Sequence, residues 1–168
     1  MRSFLLVMRL IHIVSAVCWV GGTFVQVGFI LPAIKRAGPE GGKFMQLLIQ
    51  RRLPLYLVIA AWSSIISGAL LYWYASGGLQ LQWIATFRGL LLTIGAASGI
   101  GAALAGLLIS APAAARLGMI AARAQAAGGP PTPEQAGEIR SMQERLVRGS
   151  HIAAALMAVA LVLMVVSR

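Results

Sequence analysis

Four long apolar runs, at about residues 10–31, 53–75, 81–111 and 150–167, constrain this chain more than any other feature. The first, 22 residues long, rises about 33 Å as an α-helix, against a hydrocarbon core of about 30 Å. In lipid every backbone N–H and C=O needs a partner within its own segment or a closed barrel, so such runs become helices. The expected fold is all-α: a polytopic transmembrane four-helix bundle, with residues 1–168 as one integral membrane domain. Composition agrees. Hydrophobic residues make up 59% and charged residues 11%, where soluble domains carry about 25% charged. The net charge of +10 does not indicate nucleic acid, because the Lys and Arg residues flank the apolar runs as membrane topology requires. The expected partner is the lipid bilayer.

The acidic residues exclude several chemistries. They are Glu40, Glu134, Glu138 and Glu144, all outside the apolar runs, and there is no Asp. A carboxylate dyad, a carboxylate-bridged metal pair and an intramembrane carboxylate relay are thereby removed. The single cysteine, Cys18, cannot form an internal disulfide or an iron–sulfur cluster. The first run exceeds the roughly 7–15 residues of a signal h-region, so it reads as an uncleaved helix.

Orientation follows from the cations. Lys35, Arg36, Lys43, Arg51, Arg52, Arg116, Arg123, Arg140, Arg145 and Arg148 fall on the side of the two long loops. Only Arg2, Arg9, Arg88 and Arg168 fall on the side of the termini. The positive-inside rule then places the loops in the cytoplasm and both termini outside, in the plasma (inner) membrane of the cell. Residues 41–52, with Phe44, Leu47 and Leu48 on one side, read as a short interfacial helix. Residues 113–127 are alanine-rich and helix-prone. Gly128, Gly129, Pro130 and Pro131 stop that segment, and Thr132, Pro133 and Gln135 then supply the N-cap, N1 and box positions of a new helix. The third and fourth spans should therefore extend as a cytoplasmic helical hairpin.

Within the spans, His12, Ser15, Trp19, Gly22 and Gln26 recur at steps of three or four and share one helix face. An imidazole on such a face should turn toward the bundle, because lipid offers it no partner. Met8 lies one turn before His12 on that face. Ser64 and Gly68 in the second span, and Gly95 and Gly99 in the third, fit close helix packing. Tyr72, Trp73, Tyr74 and Trp83 fit an interfacial aromatic belt. Arg88, read as lying one or two turns inside the third span, can snorkel to headgroups or meet an anionic group such as a haem propionate. By run position His12 sits near the outer face and His151 near the inner face, on the order of 20–25 Å apart. One haem held between the two histidines is therefore not expected.

The spacing His12-x6-Trp19-x-x-Gly22, opened by Leu10-Ile11 and closed by Pro32, resembles the first helix of the CopD-like membrane families. Arg51-Arg52-Leu53 leading to Gly68 and Leu71 resembles their second. These families include copper-export proteins, related four-span proteins and HemJ-type protoporphyrinogen oxidases. The resemblance implies a four-span membrane fold with a haem- or metal-related role. In the HemJ type the histidine matching His12 is associated with haem b. Where that type has a lysine early in the third span, this chain has Arg88, which keeps the charge but is no Lewis base. Three roles follow as expectations. In the first, His12 ligates haem b near the outer face, with Arg88 or Arg9 meeting a propionate and Tyr72 within reach. In the second, Met8 and His12 hold copper as a thioether–imidazole pair. In the third, the chain is a non-catalytic subunit of a larger membrane complex or a homo-oligomer. No catalytic residue is assigned.

Overall fold

The computed structural model describes residues 1–127 and 132–167 and is all-helical over them. Helix α1 (Arg2–Val25) passes through a π-helical turn (Gln26–Ile30) into α2 (Leu31–Ala37), and α3 (Pro39–Gln50) folds back beside it. Helix α4 (Leu53–Ala75) returns to the end that holds the termini. After a short α5 (Leu81–Ile84), α6 (Phe87–Ala105) continues through a second π-helical turn (Gly106–Ser110) into α7 (Ala111–Ala127). Helix α8 (Pro133–Val166) closes the bundle. Four of these stretches are long and apolar enough to cross a membrane. One end of the bundle carries the termini, and the other carries the α7–α8 hairpin. The expected stop at residues 128–131 lies outside the described residues. The start of α8 is as the sequence implies: the Thr132 hydroxyl accepts from the Gln135 N–H, and the Gln135 side chain accepts from the Thr132 N–H.

Two boundaries differ from expectation. Pro32 and Pro112 do not end the first and third spans. Each is preceded by a π-helical turn in the same register, with Leu31 N–H donating to Gln26 and Ala111 N–H to Gly106. A proline in a helix lacks its N–H and crowds the carbonyl four residues back. Widening the preceding turn by one residue relieves that clash and lets the helix run on. The third span also starts later than expected, at Phe87, because the Thr86 hydroxyl accepts from the Gly89 N–H and caps α6 there.

The packing is that of two antiparallel helix pairs, α1 with α4 and α6 with α8, joined more sparingly to each other. Trp19, Ala60, Ala61, Ala102, Ala105, Ala153 and Met157 form the buried layer that joins them. Leu31, Ala113 and Leu146 form a second buried layer toward the hairpin. Small residues set the approach of the second pair: a Cβ on Gly95 would stand 3.3 Å from Met164 Cγ.

Candidate functional site

His12 comes to α4 through the stripe read from the sequence. Ser15 and Trp19 are buried on it, and His12 is half-buried. The His12 Nδ1 lies 2.9 Å from the Ser64 carbonyl. A carbonyl only accepts, so Nδ1 carries a proton, and in the neutral imidazole Nε2 is then the nitrogen with the lone pair. Gly68, one turn beyond Ser64, makes the approach possible. A Cβ there would stand 2.8 Å from Cε1, 3.0 Å from Nδ1 and 3.8 Å from Nε2. The ring thus leans on α4 by its Nδ1–Cε1 edge, and of the two ring nitrogens Nε2 is the one farther from Gly68. This is the arrangement by which a carbonyl fixes the tautomer of a ligating histidine.

Along the bundle, His12 meets α4 at its middle. Ser64 is the middle residue of α4, about 16 Å of helix rise from either end. Helix α1 itself begins at Arg2, ten residues before His12. The expected distance between the histidines also shrinks. His151 adjoins the buried layer at Ala153, and Ser64 lies just beyond the same layer at Ala60 and Ala61. The axial separation is therefore on the order of 10 Å. Orientation keeps them apart: His151 is exposed between buried Ser150 and Ala153, and its Nδ1 donates to its own helix at Val147, 2.8 Å away.

The other predicted site residues are partly gathered. Met8 and Arg9 stand about one turn before His12 on α1, Met8 half-buried and Arg9 exposed. Tyr72 is half-buried and turned to α6. Its hydroxyl pairs with the Thr93 hydroxyl of α6 at 2.6 Å, and its ring meets Trp83 edge-on at 5.6 Å. Trp73 and Tyr74 do face outward, and Tyr74 lies against Phe4. Arg88 is the second residue of α6 and exposed, not inside the span. From Gly68 up to Tyr72, and from Thr93 up to Arg88, its backbone lies on the order of 15 Å along the axis from His12. The structure therefore places Arg9 beside His12 and Arg88 away from it. Among the described residues no three of His, Cys, Asp or Glu gather closely enough to hold a metal ion.

Two cavities escaped the sequence reading. A cleft of about 370 Å³ lies between the helix pairs, lined by Trp19 and Leu57 from the first pair and Leu107 and Met157 from the second. Both π-helical turns contribute to its wall, through Gln26 and Ser110. The Ser110 hydroxyl is buried without a hydrogen-bond partner among the described residues. A larger groove of about 1230 Å³ lies at the hairpin end, between α2–α3 and α7–α8. The sequence signal for the cleft was the pair of intrahelical prolines, which force the widened turns in its wall. No family model, curated protein or solved structure matches the chain.

Proposed function

We propose that the chain is an integral membrane protein that holds one haem b through His12, in a redox or haem-related role. The observation that supports this is the imidazole at mid-depth of α4, with Nδ1 committed to Ser64 and Nε2 left with a lone pair. An ionisable side chain at that depth is expensive and marks a functional site by default. The donor set fits a haem with a single protein imidazole, since His151 faces outward. Haem, when bound, supplies one-electron chemistry. The chain's own residues orient the ring through Ser64, make room for it at Gly68 and offer a cation at Arg9 for a propionate. Arg88 takes no part in this version, and Tyr72 ties α4 to α6.

A copper reading rests on Met8, half-buried one turn from His12. A thioether and an imidazole suit copper(I), but two ligands make an incomplete site. The test is the visible spectrum and metal content of the protein purified in detergent. A Soret band is expected, lost in His12→Ala and mostly retained in His151→Ala. Copper without haem would establish the second reading. A colourless, metal-free protein that co-purifies with larger partners would establish a non-catalytic subunit.

A further inference from the structure

The groove at the hairpin end is walled on both sides by cations. Lys35 and Lys43 stand on α2 and α3, and Arg140 and Arg148 stand on α8. Two carboxylates oppose these four: Glu144 in the groove and Glu40, which pairs with Lys43 at 2.7 Å on the exposed surface. Such an exposed pair is weak and leaves Lys43 free to exchange partners. The floor is apolar, made by Ile34, Ile49, Ile120 and Leu146. A volume of about 1230 Å³ exceeds the roughly 300–1,000 Å³ of a drug-sized ligand's pocket.

Position and continuity say what fits. The groove straddles the level where the apolar stretches end: Leu31 is its deepest residue on the first span, Ile49 precedes α4, and Arg148 precedes Ser150. That is the depth of headgroups. The groove also shares Met45, Ile49, Leu117 and Leu146 with the apolar cleft between the helix pairs. The cationic groove and the apolar cleft thus meet at these four side chains, with the cleft on the side toward the membrane interior.

We propose that the groove and cleft together form a binding site for one anionic phospholipid. Its phosphate lies among Lys35, Arg140 and Arg148, and an acyl chain occupies the cleft. Basic pockets between helices at the headgroup level bind anionic lipid in this way. The site is independent of the haem reading and of which face of the membrane the hairpin occupies.

The test uses the full chain, delipidated in dodecyl maltoside, with dioleoylphosphatidylglycerol, dioleoylphosphatidylcholine and inorganic phosphate as separate probes. Native mass spectrometry should show one phosphatidylglycerol per chain, and thermal unfolding should shift upward with that lipid alone. Lys35→Gln/Arg148→Gln should weaken phosphatidylglycerol at least tenfold, while Arg51→Gln/Arg123→Gln, an equal loss of charge outside the groove, should leave it unchanged. Glu144→Gln should tighten binding, which keeps the proposal testable if the double variant fails to fold. Equal binding of phosphatidylcholine, an equal shift from inorganic phosphate or equal loss in the two double variants overturns it. So does a second copy or another polypeptide found in place of the lipid.

Discussion

At the residue scale, the histidine clasp joins sequence pattern to chemistry. The stripe through His12, Ser15 and Trp19 was legible, because lipid leaves an imidazole no choice but to turn inward. Its partner was not legible. Ser64 acts through its carbonyl, which every residue possesses, and only Gly68 one turn away makes that carbonyl reachable. The buried serines and threonine around it satisfy themselves within their own helices, Ser15 on Ile11, Ser67 on Ser63 and Thr23 on Trp19. Their hydroxyls are thereby committed to their own helices. Gly68→Ala places a methyl group where the His12 ring lies, so the ring must swing and the bond to Ser64 is lost. An interhelical bond of this kind contributes about 0.6–2 kcal/mol in a membrane. In a His151→Ala background, nitrogen NMR of labelled histidine should report an Nδ1-protonated ring for the parent and a mixed tautomer for Gly68→Ala. Haem retention should fall with it. An Nε2-protonated ring in the parent would sink the clasp.

At the scale of elements, the proline-driven π-helical turns explain why the spans outrun their apolar segments. Proline was legible as punctuation, and its usual consequence is a helix end. The alternative, one widened turn, depends on neighbours that hold the helix on course. Here Leu31 beyond the first turn and Ala113 beyond the second are both buried with Leu146. That tertiary contact is what local sequence cannot announce. Gly149 of α8 packs against the second turn. A Cβ there would stand 2.5 Å from Ser110 Oγ and 3.0 Å from Ile109 Cβ. The isoleucine atom is fixed to its backbone and cannot yield. Gly149→Ala should therefore destabilise by about 1–3 kcal/mol through overpacking, although alanine favours the helix by up to about 1 kcal/mol. Gly137, on the same helix with nothing within 4 Å, isolates the propensity term. Thermal unfolding in detergent should show Gly137→Ala neutral or stabilised and Gly149→Ala lowered. Equal behaviour of the two would remove the close contact from the account.

At the scale of the molecule, the four spans and the helical extension were legible, since length, hydropathy and capping residues act locally. The division into two pairs with a cleft between them was not, because it depends on which small faces find each other. The α7–α8 hairpin is held by tertiary contacts of its own, including Arg116 on Glu138. Ten of the fourteen Lys and Arg residues lie at the hairpin end. Seven of these adjoin a span: Lys35, Arg36, Arg51, Arg52, Arg116, Arg145 and Arg148. Charges there set orientation, because moving them through the bilayer opposes insertion, whereas carboxylates contribute little. The hairpin should face the cytoplasm and the termini the opposite side. Single cysteines at Ser3 and Thr132, both exposed, test this in a Cys18→Ser background. A membrane-impermeant maleimide added to spheroplasts should label Ser3→Cys and reach Thr132→Cys only after lysis. The reverse pattern would invert the topology and leave the positive charge of the hairpin without a topological cause.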